Sequence, residues 1–157
     1  MKILPLPPED AARLVPLLQE LHALHVQHHP ARYPANPKDQ VLTDWLQDWL
    51  SRESLTALIA ESPQGALLGY VIYGIETRPH EPLRSGETRC MIHHIAVSKA
   101  FRRMGVGLAL LHEVKRQAKG QNIDSIATSY APFNTASAAL SQSLGLLPVM
   151  TIAEWRA

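Results

Sequence analysis

Two closely spaced glycines, Gly105 and Gly107, stand where an apolar, strand-like stretch ends and a helical pattern begins. A turn from a strand into a helix exposes consecutive backbone N–H groups at the positive end of the helix dipole, and glycine lets a bulky phosphate approach that backbone. Leu110 occupies the place of the third glycine in a dinucleotide-binding G-x-G-x-x-G motif, and no Gly-Lys-Ser/Thr triplet marks a nucleoside triphosphatase loop. The segment therefore predicts a pyrophosphate-binding turn that is neither a dinucleotide-binding motif nor a nucleoside triphosphatase loop.

The stretch from Arg102 to Gly107 resembles the motif of the GNAT superfamily of acetyl-CoA-dependent N-acetyltransferases, which reads Arg or Gln, two residues, Gly, one residue, then Gly or Ala. The resemblance extends to the preceding step Ile95-Ala96-Val97, to Asn134, and to the ending Leu144-Gly145-Leu146. It implies acetyl-CoA as co-substrate and a sheet that splays between its fourth and fifth strands.

The resemblance also implies which residues bind acetyl-CoA. Arg102 and Arg103 would attract its phosphates, and Asn134 would hydrogen-bond its pantetheine arm. The glycines could instead serve only a tight turn, and Asn134 could simply cap a helix. The backbone groups implied are those of Ile95, Ala96 and Val97 for the arm, and the N–H groups of Arg103, Met104, Gly105, Val106, Gly107 and Leu108 for the pyrophosphate.

Acetyl transfer to an amine needs a proton acceptor, because an alkyl amine with a pKa of about 10.4 is protonated at neutral pH. In the family a glutamate often lies four residues before the valine of the lead-in strand, and here that position is His93. We predict that His93 is the general base, directly or through a water, although it could only line the site. Strand alternation predicts one face with Met91, His93, Ile95 and Val97 and the other with Ile92, His94 and Ala96, which makes His94 a hydrogen-bonded core residue.

Two positions depart from the family pattern. Ser141 stands where the family commonly has a tyrosine that protonates the departing thiolate. Tyr130 could supply that proton instead, or it could be an aromatic residue that only anchors the chain. Ser129 stands where the branch that acetylates protein N-termini often carries a glutamate. The prediction is acetyl transfer to a primary amine of a small molecule or peptide N-terminus. The alternative is a module that binds CoA or acyl-CoA as a sensor without transfer.

Four histidines, His22, His25, His28 and His29, precede a proline-rich connection. By the resemblance, they shape the acceptor pocket together with Tyr33 and the loop 78–86. Steps of three and four residues could also bring three of them together as metal ligands. No Cys or acidic residue accompanies them at a recognisable spacing, so we predict polar rim residues and no metal.

The apolar patterns and the resemblance predict an α/β (α+β) fold with the order β-α-α-β-β-β-α-β-α-β, a mixed, mostly antiparallel sheet flanked by helices. Asp10 is predicted to cap the first helix and Pro16 to bend it. Both Trp45 and Trp49 of the second helix are predicted to pack into the core. The later predictions are strands at 55–60, 67–75, 88–97 and 123–129, helices at 105–119 and 134–144, and a final strand from Leu147 to Ile152.

Composition limits the function classes. The 157 residues, 46% apolar and 18% charged, fit one domain over 1–157. Fifteen Lys and Arg against 14 Asp and Glu provide no strong field for nucleic acid or a charged membrane, and no apolar run spans a bilayer. The lone Cys90 and the lack of a signal-like start predict a cytoplasmic protein. A second subunit could cover the edge left by the last strand.

Overall fold

The computed structural model describes all residues from 1 to 157, arranged around one five-stranded sheet. Four α-helices and two short 3-10 helices connect the strands, the second 3-10 helix covering Lys99–Phe101. The other elements, in chain order, are β1 (Lys2–Pro5), a 3-10 helix (Pro8–Leu14), α1 (Val15–His28), α2 (Asp39–Leu50), β2 (Leu55–Glu61), β3 (Leu67–Arg78), β4 (Glu87–Val97), α3 (Val106–Lys119), β5 (Ser125–Thr128) and α4 (Thr135–Ser143).

The strands lie in the sheet in chain order, and every neighbouring pair is antiparallel except β4 and β5. The parallel pair requires a crossover, which α3 supplies. Leu110 and Val114 of α3 are fully buried against the sheet, as the predicted apolar stripe requires. The predicted fold class, mixed α/β with a mostly antiparallel sheet, is confirmed.

Two apolar cores cover the two faces of the sheet. On β3, Tyr70 and Ile72 face the core shared with α1 and α2, whereas Val71 and Tyr73 face the core shared with α3. This alternation follows from the period of two along a strand. All four side chains are buried, which makes β3 the centre of the fold.

The first helix does not begin as predicted. Pro8 opens the 3-10 helix, Asp10 lies inside it without capping anything, and α1 begins only at Val15. Pro16 therefore occupies the first turn of α1, where its missing N–H group is not needed, rather than the middle of a longer helix.

The predicted final strand is wrong. Residues 147–152 form no strand and no ladder, and the side chains of Leu147 and Val149 are 76% and 93% exposed. Pro148 lacks the N–H group that a ladder requires. The edge strands of the sheet are β1 and β5, and coverage of the β5 edge by a second subunit remains a prediction.

Replacing Leu110 by Ala should lower the free energy of unfolding by about 2–5 kcal/mol, because the cavity would lie between α3 and the sheet. Leu147→Ala is the matched control, since this side chain is already 76% exposed, and it should change that free energy by less than about 0.5 kcal/mol. Urea unfolding followed by circular dichroism measures both. Equal effects of the two substitutions would contradict the assigned core.

Candidate active site

The strands β4 and β5 separate partway along their length. Their ladder joins Arg89–Ile92 to Ser125–Thr128 and ends there. At its end the Thr128 hydroxyl donates a 3.1 Å hydrogen bond to the Ile92 carbonyl oxygen. Because β4 continues to Val97, its second half has no strand on the β5 side.

A cleft of about 110 Å³ occupies this opening. One wall comes from α1 and β4, and the other from the end of β5 and from α4. No Asp or Glu lines it. The polar and aromatic lining residues are His25, His93, His94, Thr128, Ser129, Tyr130, Asn134, Ser137 and Ser141.

A β-bulge in β4 changes the predicted directions of the two histidines. Ile72 pairs with His94 and Tyr73 with Ile92, so His93 is an extra residue without a partner on β3. An extra residue resets the alternation of side chains. His93 and His94 therefore both face α2, with each ring centroid 5.5 Å from that of Trp49, and the predicted split between opposite faces is wrong.

His93 combines partial exposure with a lowered pKa. Burial lowers the pKa of the imidazole below 6.5, the carboxylate of Glu76 opposes this shift, and Arg89 adds to it. Glu76 lies 4.0 Å from His93 Nε2 and accepts two hydrogen bonds from Arg89, at 2.9 and 2.7 Å. His93 is consequently mostly neutral at pH 7 and could accept a proton, with a carboxylate nearby to stabilise the resulting charge.

His94 is held more firmly in the neutral state. Burial, followed by repulsion from His25 and from His93, lowers the pKa of His94 to about 4. The prediction of a hydrogen-bonded core residue is wrong, since His94 lines the cleft and its ring forms no hydrogen bond with the protein. A pKa this low makes His94 a weaker base than His93.

The turn before α3 is rich in free hydrogen-bond donors. The six N–H groups from Arg103 to Leu108 donate no hydrogen bond within the protein, and the first backbone bond of α3 runs from Ala109 to Gly105. No side chain caps α3. Successive free N–H groups at a helix start form a concave binding surface for an anion.

Glycine is favoured at the two positions of the turn for different reasons. Gly105 has φ of +81° and open space where a Cβ would lie, so glycine is favoured there by backbone conformation. A Cβ on Gly107 would lie 3.1 Å from Leu140 Cδ2, so this glycine lets α3 pack closely on α4. Arg103 also adopts a left-handed conformation, with φ of +62°.

The two arginines of the turn have different surroundings. Arg102 Nε donates a 3.2 Å hydrogen bond to the Val97 carbonyl oxygen, and its Nη2 lies 4.0 Å from a carboxylate oxygen of Glu20 on α1. Arg103 is exposed and forms no ion pair. Arg102 thus links the turn to β4 and α1, while Arg103 is open to an approaching anion.

Asn134 caps α4 and lines the cleft. Its Oδ1 accepts a 3.1 Å hydrogen bond from the Ser137 N–H group. Its side-chain amide group donates to no protein atom, so it can still donate to a ligand.

The histidines of α1 contact an aromatic residue that the sequence analysis did not single out. Phe133 stacks on His28 with ring centroids 4.1 Å apart, and its ring centroid lies 5.6 Å from that of His25. His25 also contacts Tyr33. These contacts join α1 to the segment between β5 and α4 across the cleft. Phe133 adjoins Asn134 in sequence, which is the one signal that could have drawn attention to it.

The structure contains no group of three or more His, Cys, Asp or Glu side chains arranged to hold a metal ion. None of its helices has the length and apolar character needed to cross a bilayer.

Comparison by sequence identifies the family. The model of the acetyltransferase (GNAT) family matches residues 18–146, which is most of the chain. The chain therefore belongs to the GNAT acetyltransferase family. Comparison with curated proteins finds no match.

Solved structures have the same fold at low sequence identity. The tetramutant of the BH1408 protein from Bacillus halodurans is similar over 100% of both chains, with 18% identity and a TM-score of 0.92. A ribosomal-protein-alanine N-acetyltransferase from Brucella melitensis biovar Abortus 2308 is 20% identical over 100% of both chains, with a TM-score of 0.74. The aminoglycoside N-acetyltransferase AAC(6')-Iy in complex with CoA is 20% identical, with a TM-score of 0.76, over 99% of this chain and 93% of that one.

Gly105→Glu should weaken acetyl-CoA binding at least about a hundredfold, because a carboxylate would stand among the free N–H groups that are expected to bind the diphosphate. Gly65→Glu is the matched control, since Gly65 has φ of +82° and equally open space in the turn between β2 and β3. Calorimetric titration measures affinity, and urea unfolding measures the strain common to both variants. Equal affinities in the two variants would remove the turn from the binding site.

Protonation of His94 should destabilise the fold in acid. Between about pH 6.5 and pH 4 the unfolded chain binds a proton that the folded chain does not, so the free energy of unfolding falls as pH drops. The loss should be on the order of 3 kcal/mol. Urea unfolding from pH 7 to pH 4 should show a shallower fall in His94→Gln, and no such change in the exposed control His112→Gln. Identical pH profiles for wild type and His94→Gln would contradict the buried neutral state.

Proposed function

We propose that this chain, acting as one domain over residues 1–157, transfers the acetyl group of acetyl-CoA to a primary amine of a small molecule or a peptide N-terminus. The observation that carries the proposal is that a row of free backbone donors closely follows the strand that holds a neutral histidine. The donors follow the end of β4, and His93 lies four residues before Val97 in the same strand. Membership of the GNAT family supports acetyl-CoA as the donor of the acetyl group.

Binding would use the backbone more than side chains. The N–H groups from Arg103 to Leu108 would donate to the diphosphate, with Arg103 adding a positive charge. The backbone of Ile95 to Val97 would pair with the pantetheine arm along the open side of β4, as a further strand would. The free amide group of Asn134 would donate to the same arm.

His93 would prepare the amine for attack. Deprotonating an alkyl ammonium with a pKa of about 10.4 at pH 7 costs roughly 4.6 kcal/mol. His93, whose pKa is held below 6.5 by burial, accepts the proton directly or through a water. Glu76, 4.0 Å from Nε2, then stabilises the imidazolium ion, which makes it a positioning residue that the sequence analysis missed.

The reaction follows by direct transfer. The amine nitrogen attacks the thioester carbonyl carbon, the C–N bond forms, and the C–S bond breaks as the thiolate departs. A thiol has a pKa of only about 8.5, so the thiolate can leave with little help and take its proton from water. Tyr130 and Ser141 both line the cleft, and the phenol of Tyr130 is the closer chemical equivalent of the missing general acid, whereas Ser141 is a buried alcohol.

An acyl-enzyme intermediate on cysteine is disfavoured by the position of Cys90. This thiol, the only one in the chain, is fully buried in the core that faces α3. Burial raises its pKa to about 11, and the thiolate is the nucleophilic form. Attack by the amine itself is therefore the simpler route.

Thiol release from acetyl-CoA, measured with alkyl amines, polyamines, amino acids and peptides, tests the proposal. Amine-dependent release with acetylated product supports the enzyme. Binding of acetyl-CoA without thiol release with any acceptor would favour the alternative of a sensor that holds CoA, an alternative based on Ser129 and Ser141.

His93→Ala should lower kcat by about a hundredfold or more and leave the affinity for acetyl-CoA within twofold, as expected for loss of a general base (~10²–10⁴). In wild type, kcat/KM should fall as pH drops through the His93 pKa, below 6.5, because the protonated ring cannot accept a proton. The inflection at the His93 pKa should be absent in His93→Ala, whose residual rate should follow only the ionisation of the acceptor amine. The exposed His112→Ala variant is the control. Retention of the inflection below pH 6.5 in His93→Ala would exclude His93 as the base.

A further inference from the structure

The residues of α2 that lie next to His93 and His94 are aromatic. The rings of Trp45 and Trp49 stack with centroids 5.1 Å apart and planes 24° from parallel. Trp49 contacts His93 and His94, and the centroid of Trp45 lies 6.3 Å from that of His94. The prediction that both tryptophans pack into the core is wrong for Trp45, which is 46% exposed.

The exposed half of Trp45 belongs to a longer apolar strip. Val41, Trp45 and Trp49 follow one another at intervals of four residues, which places them along one side of α2. Val41 is 58% exposed. The strip therefore leads from solvent along α2 to the ring of His93, where the amine would lose its proton.

The same region has few carboxylates that could pair with a second positive charge on the acceptor. No carboxylate lines the cleft, and Glu76, the nearest one to His93, is already bound by Arg89 through two hydrogen bonds. No residue of α2 lines the cleft itself; Trp49 borders it through contacts with His93 and His94, whereas Asp44 and Asp48 are exposed to solvent. An ammonium group drawn into this site would have no free carboxylate as a partner, and the faces of the tryptophans would offset only part of its lost hydration. An aromatic group, by contrast, gains contact with the tryptophan stack.

We infer that the acceptor is a primary amine that carries one aromatic group and no second positive charge, and that Trp45 and Trp49 bind this group while the amine reaches His93. This inference rests on the proposed function and names its substrate class. The amine could come from a free arylalkylamine or from a peptide that begins with an aromatic residue, since both present the same chemistry.

The test compares kcat/KM for four acceptors at saturating acetyl-CoA: 2-phenylethylamine, butylamine, spermidine and a Phe-initiated tripeptide amide. We expect 2-phenylethylamine or the Phe peptide to exceed butylamine and spermidine at least tenfold, and the better of the two identifies the source. Trp45→Ala should raise KM for the preferred acceptor about fivefold, the size of one aromatic contact. It should leave kcat and the KM for butylamine within twofold.

Two controls isolate the role of the stack. Trp155→Ala removes a tryptophan that is 84% exposed and forms no aromatic contact, and it should change nothing. Trp45→Phe should recover most of the affinity.

In the Trp155→Phe background only Trp45 and Trp49 remain of the three tryptophans. Their fluorescence emission should therefore shift on adding 2-phenylethylamine, which reports binding without turnover.

The outcomes separate the inference from the proposed function. Spermidine as the best acceptor, or an equal loss for all amines in Trp45→Ala, would overturn the inference and leave acetyl transfer standing. No thiol release with any amine would overturn the proposed function and this substrate assignment with it.

Discussion

Where the ladder between β4 and β5 ends, at Ile92 and Thr128, the next five residues of β4 lose a neighbouring strand on that side. The chain cannot extend β5 farther, because it turns at once toward α4, with Asn134 N–H bonded to the Ala131 carbonyl oxygen. Because backbone polar groups need hydrogen-bond partners, this gap can bind a ligand that pairs with β4 as a strand does. The cleft, its histidines and the cap of α4 all border this one gap.

The electrostatics of the site are local. The chain has a formal net charge of only +1, so no overall field draws in a polyanion. What the structure offers instead is a row of N–H groups from Arg103 to Leu108 with no internal partner, at the positive end of α3. In the cleft, burial lowers the pKa of both His93 and His94 and favours their neutral forms. The proposed anionic co-substrate and amine acceptor would thus meet different surroundings, the first at the turn before α3 and the second at His93 on β4.

Local patterns predicted much of the fold, and tertiary contacts explain the errors. The apolar stripe of α3, the turn at Gly105 and the cap at Asn134 depend on short stretches of sequence, and each lies where it was predicted. The bulge at His93 depends on how β4 registers with β3, which no local pattern of β4 reveals. The Glu76–Arg89 pair and the contact of His28 with Phe133 join distant segments, and no local pattern predicts either contact. The apolar residues after Leu146 have strand-like character but find no partner strand.

Nuclear magnetic resonance of the ¹⁵N-labelled protein, titrated with acetyl-CoA, tests most directly whether the gap beside β4 and the turn before α3 bind this molecule. The account predicts large, saturable shifts of the amide signals of residues 103–108, with further shifts along 93–97. The amide of Gly65, in the distant turn between β2 and β3, should stay unchanged. Saturable binding whose shifts lie elsewhere, or no shifts at all, would contradict the account.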